Sequence, residues 1–489
     1  MIPLAKRDRK VRLRRPWMSL VFSVLVAGCA VGPDYREPTL VTPDSWNTLP
    51  EQAVRAESED ASILAAWWTV FEDPLLTELI EQALANNKTV EQARARVLEA
   101  RARRGAAAGP FFPSIDASAG ASRTKYDERI VVPEDGLVAR NDRELYTGGL
   151  DASWELDLFG RQRRAFEAAT ATLGATEAEL RDALVTLLGD VAVNYTALRT
   201  AQARLALAER NLAAQSELVD ITRWRAEAGL ATVLDVEQAE TSYQQTRAQI
   251  PLLESSLTNA LNRLAVLTGQ MPGALHERLS APAPIPVAPD TIVVDVPADV
   301  VRRRPDIRAA ERRLAAQSAQ VGVAKAALYP SLSLSGSIGL QSLSASDLLD
   351  GSQTDRVGLS LRIPLFAGGA LRANLRAQYA ALDQAFAAYE AVVLAALEEV
   401  ENALAAWTSE QQRRQALLLA VDAARRAREL ALVQYNSGLV DFQTVVTADR
   451  QLISLEDSLA VNEGELTSSL IRLYKALGGG WSVFPGTTR

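Results

Sequence analysis

The chain has 489 residues, 23% of them charged, 6% aromatic and one a cysteine, which excludes an intramolecular disulfide framework and favours long helices over an aromatic-rich compact core. Its formal net charge is −8, but the basic residues from Lys6 to Arg15, set against Asp8, carry +6; removing them leaves −14 from Cys29 onward. That acidity argues against a nucleic-acid partner, whose phosphates would be repelled.

The basic N-terminal segment is followed by an apolar run from Trp17 to Ala27, too short to span a bilayer as a helix, which is the pattern of a secretory signal over residues 1–28. The stretch Leu25-Val26-Ala27-Gly28-Cys29 resembles the lipobox of bacterial lipoproteins. The resemblance implies cleavage before Cys29 and acylation of its thiol with palmitate-like chains, and Ala30 in place of Asp fits outer-membrane sorting in that family. Each buried acyl CH₂ contributes about 0.8 kcal/mol, so the lipid is a tether rather than the function. Residues 29–73, with Pro33, Pro38, Pro43 and Pro50 and little periodicity, read as an extended arm.

A first repeat is expected over 74–269. A helix runs from Pro74 to about Ala108, where Gly109-Pro110 stops it. A β-hairpin within 112–159 follows: Ile115, Ala117, Ala119 and Ala121 alternate with small or polar residues, as do Leu150, Ala152, Trp154, Leu156 and Leu158. From Gly160 a helical region continues, with room for one break, to Ala228. Leu187, Val191, Asn194, Leu198, Ala201 and Leu205 alternate there at spacings of four and three, a coiled-coil seam. An unbroken helix of 68 residues would be about 100 Å long. Gly229-Leu230 turns the chain, and a second seam, from Ile250 to Leu267, returns towards Gly269.

The Pro-rich stretch 270–299 is a connector, and a second repeat is expected over 300–478, with a tail from 479 to 489. Here a helix from Pro305 to Leu328 precedes a hairpin over 329–366, in which Leu332, Leu334, Ile338 and Leu340 alternate with Ser and Gly, and Val357, Leu359, Leu361 and Ile363 alternate again. After Gly368-Gly369 a long seam runs through Leu375, Tyr379, Leu382, Phe386 and Tyr389 to Trp407, the turn recurs at Gly438-Leu439, and a helix from Phe442 to Leu477 closes the repeat. Pairing Pro113 with Pro330, Phe159 with Phe366 and Gly229 with Gly438 gives offsets of 217, 207 and 209, the mark of a tandem duplication.

Strands with one apolar and one small or polar face suit a membrane barrel with lipid outside and water inside. Four strands cannot close a barrel, and open sheet edges are not tolerated in hydrocarbon, so several chains must share one barrel. The helical hairpins agree, since each is too thin to hide two apolar edges alone. His276 is the sole histidine and lies in the connector, no phosphate loop, metal-ligand cluster or nucleophile motif stands out, and no enzyme activity or cofactor is expected beyond a lipid on Cys29.

The run from Val301 through Arg302-Arg303-Arg304-Pro305-Asp306 to Glu311, continuing through Val323-Ala324-Lys325 to Leu334, resembles the outer-membrane factor family of TolC-like efflux channels, in its NodT-type lipoprotein subgroup. Trp67-Trp68 with Phe71, Asp73 and Pro74, the Glu155–Arg161 segment and Ile363–Gly369 resemble it too. The resemblance implies an α plus transmembrane-β fold, in which a homotrimer combines twelve strands in one outer-membrane barrel and long helices in a periplasmic α-barrel. It implies a periplasmic adaptor and an inner-membrane RND-type pump as partners. The function implied is a passive exit duct for drugs or other small molecules; type I protein secretion on the same fold, or a non-pore coiled-coil scaffold lipoprotein, are the alternatives. The Arg302–Arg304 cluster is expected to be solvated at a helix start.

In that family, acidic residues just after the two turn glycines, with a tyrosine on a facing helix, latch the periplasmic end. The corresponding gate candidates here are Asp235, Tyr435, Asp441, Thr444 and Thr447, with a carboxylate-to-phenol hydrogen bond expected between Asp235 and Tyr435. Val440 stands where some members have Arg, and Thr444 and Thr447 where Asp is frequent. Asp449 lies two residues from Thr447, about 200° around a helix, and cannot replace it.

Overall fold

The computed structural model describes residues 30–39, 43–48, 53–55, 64–125, 142–289, 292–294 and 297–481; the signal segment and Cys29 lie outside the described residues. In chain order the elements are β1 (Ala53–Arg55), α1 (Pro74–Asn86), α2 (Lys88–Ala108), β2 (Ser114–Lys125), β3 (Asp142–Leu156), α3 (Arg161–Glu227), α4 (Val233–Leu267), α5 (His276–Leu279), β4 (Ile292–Val294), α6 (Pro297–Arg303), α7 (Pro305–Ala326), β5 (Ser331–Ser342), β6 (Ser352–Arg362), α8 (Ala370–Asn436) and α9 (Phe442–Ala476). The expected elements occur in the expected order, and α3 runs its 67 residues unbroken. The first expected helix is divided at Asn87. Its Oδ1 accepts from the amides of Thr89 (2.9 Å) and Val90 (3.1 Å), so the side chain caps a new helix instead of letting the old one continue. Sequence periodicity also missed the short parallel pairing of β1 with β4, which ties the arm to the connector.

The chain divides into two compact units: Met1–Pro38, Glu99–Leu173 and Arg312–Ala387 form one, and Thr39–Leu98, Gly174–Glu311 and Ala388–Arg489 the other. The first unit is built on an antiparallel sheet of order β2-β3-β5-β6. Its cross-strand rows sort the residues as the alternation requires. One face carries Leu156–Leu332–Leu361, Trp154–Leu334–Leu359, Ile115–Ala152–Gly336–Val357 and Ala117–Leu150–Ile338; the other carries Ser114–Ser153–Ser335–Gly358 and Asp116–Asp151–Ser337–Arg356. Asp355, at the β6 edge, is a charge on the apolar face. From Leu156 to Gly148 along β3 that face extends about 26 Å at ~3.3 Å per residue, close to the apolar band of an outer-membrane barrel. The two hairpins meet at β3 and β5, where Gly149 faces Gly339. A Cβ on Gly149 would lie 2.7 Å from the Ile338 carbonyl oxygen, so only glycine permits the approach.

In the same unit the arm is fastened. The Val31 amide donates to the Phe159 carbonyl (3.0 Å), and the buried Arg164 guanidinium bridges Asp34 (2.6 Å) and Glu167 (2.8 Å). Phe159 stacks on Tyr329, centroids 4.8 Å apart, where the strands give way to helices.

Among the described residues the regular structure of the second unit is helical apart from β1 and β4, and its core gathers Trp67, stacked on Tyr474 at 5.7 Å, with Trp68 and Phe71. Asp73 caps α1 through Oδ1 and accepts from the buried Tyr195 hydroxyl (2.6 Å) through Oδ2. Burial, with that carboxylate, pushes the Tyr195 phenol up to about 12. Arg199 and Gln202 then donate to the Ala281 (3.1 Å) and Leu279 (2.8 Å) carbonyls, fixing the connector to α3.

The duplication surfaces as a repeated clamp. The Asn87 amide donates to the Leu267 carbonyl (2.8 Å), and the Arg304 guanidinium donates to the Ala476 carbonyl (2.6 Å). Arg304 follows Asn87 by the same 217 residues that separate Pro330 from Pro113, and Ala476 follows Leu267 by the 209 that separate Gly438 from Gly229. Each clamp satisfies a carbonyl left open at a helix C-terminus. The expectation of a solvated arginine cluster is therefore wrong for Arg304, whose side chain is 11% exposed and paired with Asp306 and Glu399, both at 2.8 Å. Arg302 does pair at the surface, with Asp299 at 3.2 Å.

Two outcomes follow. Leu334→Arg puts a charge on the apolar face and should impair membrane assembly far more than Ser335→Arg, which lies on the opposite face; assembly yields in outer-membrane fractions compare them, and equal tolerance would contradict the facing. Burial, together with Asp306 and Glu399, raises the Asp182 carboxyl above its ordinary value despite Arg304 and Lys475. A raised folded-state value favours the protonated form, so the contribution of Asp182 is stabilising at low pH and is lost as pH rises through that value. Asp182→Asn should therefore raise Tm at pH 7, with the gap closing towards pH 4.

Candidate functional site

At both interhelical turns the chain reverses by the same device. Gly229 and Gly438 have φ of 71° and 72°, a left-handed conformation that glycine adopts without penalty. The following leucine amide reaches back to close the helix, Leu230 to the Arg225 carbonyl (2.8 Å) and Leu439 to the Gln434 carbonyl (2.9 Å). Beneath the turns Val219 of α3, Ala239 of α4, and Phe442 and Val446 of α9 form a buried cluster, against which Leu218, Tyr243 and Tyr435 pack. The turns thus rest on four mutually packed helix ends.

The acidic candidates are engaged locally. Asp235 and Thr232 form a capping box: Asp235 Oδ2 accepts from the Thr232 amide (2.8 Å) and hydroxyl (2.9 Å), and the Asp235 amide donates to Thr232 Oγ1 (3.2 Å). At the second turn the residue types are exchanged. Asp441 is the cap, accepting from the Thr444 amide (3.0 Å) and hydroxyl (2.6 Å). The Thr444 hydroxyl holds the exposed Asp441 carboxyl below its usual range. Thr447 turns its hydroxyl back to the Gln443 carbonyl (2.8 Å). Asp449 points into the helix bundle, pairing with Arg428 at 2.7 Å and accepting from Gln215 at 3.4 Å, as its helical phase requires.

The expected hydrogen bond from Tyr435 to Asp235 is not formed. The phenol oxygen is buried without a hydrogen-bond partner, and burial raises the Tyr435 hydroxyl above its ordinary value. The capping box holds the Asp235 carboxylate beside Thr232, with both cap bonds accepted by Oδ2. The contact that Tyr435 does make was not foreseen. The Arg225 guanidinium lies over its ring, 4.5 Å from the centroid, and Arg225 Nη1 donates to Asn436 Oδ1 (3.1 Å). A basic residue four positions before the turn glycine was the available signal.

Residues 79–270 and 296–479 match the model of the outer membrane efflux protein family. The chain is 33% identical over 462 residues to nodulation protein T of Rhizobium leguminosarum bv. trifolii, covering 94% of this chain and 96% of the relative. To the toluene efflux pump outer membrane protein TtgI of Pseudomonas putida it is 34% identical over 471 residues, covering 94% and 97%. Among solved structures it resembles the outer-membrane channel OprN (TM-score 0.85, 38% identity, 93% of this chain and all of that one). It also resembles the open state of the Neisseria gonorrhoeae MtrE channel (TM-score 0.79, 28% identity, 93% and 99%).

If the Asp235 carboxylate serves the cap, Thr232→Ala should reproduce the effect of Asp235→Ala: a loss of about 1 kcal/mol and faster amide exchange at Val233–Asp235. Hydrogen exchange on the two variants reads it; acceleration in Asp235→Ala alone would place the carboxylate in another contact.

Proposed function

Because the chain belongs to the outer membrane efflux protein family, we propose that three copies assemble one channel, in which each contributes its four strands to a shared twelve-stranded barrel and its long helices to a tunnel. The protein is an outer-membrane exit duct of a tripartite efflux pump and reaches into the periplasm. It is not an enzyme. The observation that carries the trimer is the sheet: one face is apolar, the opposite face carries Ser, Asp and Gly, and among the described residues β2 and β6 end it as unpaired edges. In hydrocarbon those edge amides and carbonyls need partners, and copies of the same sheet supply them.

The helices support the same reading. An 18-residue window of α8 is apolar enough in composition to cross a membrane, yet only 17% of it is buried within the chain, so neighbouring copies have apolar surface to cover. Relatives named as toluene and solvent efflux proteins support small, apolar molecules as cargo. The cargo arrives from an inner-membrane RND-type pump through a periplasmic adaptor. Conduction makes and breaks no bonds, and the reading calls for no cofactor beyond lipid on Cys29, which tethers the arm whose next residues are held by Arg164. The repeats 74–269 and 300–478 then act as equivalent wall segments, joined by the connector 270–299.

Mild cross-linking of the detergent-solubilised protein should yield a trimer, and the same sample should carry ion current across planar bilayers. A monomer in both assays would overturn the reading.

A further inference from the structure

We infer that the seam between copies in the shared barrel proposed above, on which this rests, is held in one register by two ion pairs from β6 of one copy to β2 of the next. Arg362 meets Asp116 of the next copy on the polar face, and Asp355 meets Arg123 of the next copy on the apolar face. All four residues stand on the outer strands of the sheet. Asp116 shares the row of Asp151, Ser337 and Arg356, and Asp355 shares that of Ala117, Leu150 and Ile338. By alternation Arg362 lies on the polar face with Arg356, and Arg123 on the apolar face with Ala117. Within its own chain Asp116 faces a second carboxylate, Asp151, and Asp355 faces Ile338, so neither acid meets a cation across the ladder. Arg123 faces Glu144 at 3.8 Å, and a guanidinium has donors enough for a second acid.

Closing the strands into a ring forces the register to slip. A row across twelve strands about 4.8 Å apart is about 58 Å long, and a strand tilt of about 35–45° then displaces the register by about 12 to 17 residues per circuit, or about four to six per copy. The slip must be even, because an odd one would turn apolar side chains into the lumen. Strand length fixes its direction. A slip of about six residues one way sets 116–125 opposite 362–353, nearly the whole of both strands, whereas the other way leaves only Ser114 facing Ser352. Charge then separates six from four. At about four, Arg362 faces Ser114, Asp116 faces Ser360 and Asp355 faces Ala121; at about six, Arg362 faces Asp116, Asp355 faces Arg123, and no like charges are opposed. Asp355 lies level with Leu150 and Ile338, inside the apolar band, where a carboxylate without a partner is costly. A charge pair in such a place discriminates against slipped registers more than it adds stability.

Cysteine pairs read the register. Cys29 is the sole native cysteine, and within one chain positions 123 and 355 lie on opposite edges of the sheet, three strand spacings or about 14 Å apart, beyond the reach of a disulfide. A disulfide between them therefore joins two copies. In oxidised outer-membrane fractions of the full-length protein, Arg123→Cys with Asp355→Cys should give linked dimers and trimers on non-reducing gels. Their yield should be about fivefold or more that of Ala121→Cys with Asp355→Cys, or of any single variant, since a disulfide tolerates little misplacement. An equal or higher yield from the Ala121 pair would overturn the register. Charge reversal reads the ion pairs. Arg362→Asp should lower the fraction of trimer that survives heating on gels about threefold, and adding Asp116→Arg should restore most of it. Asp116→Arg in the wild-type background should bring no such gain; a gain there equal to that in Arg362→Asp would make Asp151, not Arg362, the partner of Asp116 and overturn the pair. Losses that add would overturn it too. Should the cysteine variants not assemble, charge reversal decides alone. Wild-type protein that stays monomeric under mild cross-linking would overturn the shared barrel itself, whereas a wild-type trimer with the wrong disulfide or without recovery sinks only the seam.

Discussion

Everything in this protein depends on the hydrogen-bonding demand of a sheet edge in lipid. Among the described residues the four-stranded sheet with one apolar face leaves the outer N–H and C=O groups of β2 and β6 unpaired, and a hydrocarbon environment offers them nothing. In the proposed trimer, pairing with identical sheets removes the demand by closing the edge altogether. The requirement propagates along the chain. β3 leads into α3 after four residues and β6 into α8 after seven, so closing the strands in the proposed trimer would also bring helices of different copies together. The exposed apolar window of α8 is what a helix destined for such neighbours carries.

The duplication shows how one physical task tolerates different residues. Asn87 and Arg304 hold equivalent places and each donates to an open carbonyl at the end of a helix in its own repeat. The amide completes the task as a neutral group. The guanidinium brings a charge into a region that is mostly buried, and Asp306 and Glu399 are there to pair it, with Asp182 left nearby as the destabilised member of the group. The interhelical turns follow the same logic, since Thr-x-x-Asp at the first and Asp-x-x-Thr at the second cap their helices with the roles exchanged.

At both turns the carboxylates serve local caps. A cap contact between residues three apart needs almost no chain ordering beyond the helix itself, whereas a contact between hairpins must order two distant segments. Asp235 and Asp441 go to the cheaper partner, and the inter-repeat contact falls to Arg225, whose long side chain reaches past its own helix to the Tyr435 ring.

The sequence by itself determined the elements, their duplication and the two faces of the sheet, because periods of two and of alternating four and three are imposed by backbone geometry before any tertiary contact exists. Alternation from Leu332 to Leu340 and the glycines at 229 and 438 were sufficient for that. Tertiary structure decided the partners of individual polar groups. That Arg304 would be buried while Arg302 stayed at the surface, and that the Arg225 guanidinium would lie over the Tyr435 ring while Asp235 stayed with its cap, depend on which groups are brought together once the helices have packed. Such contacts join residues about two hundred positions apart, and periodicity carries no record of them.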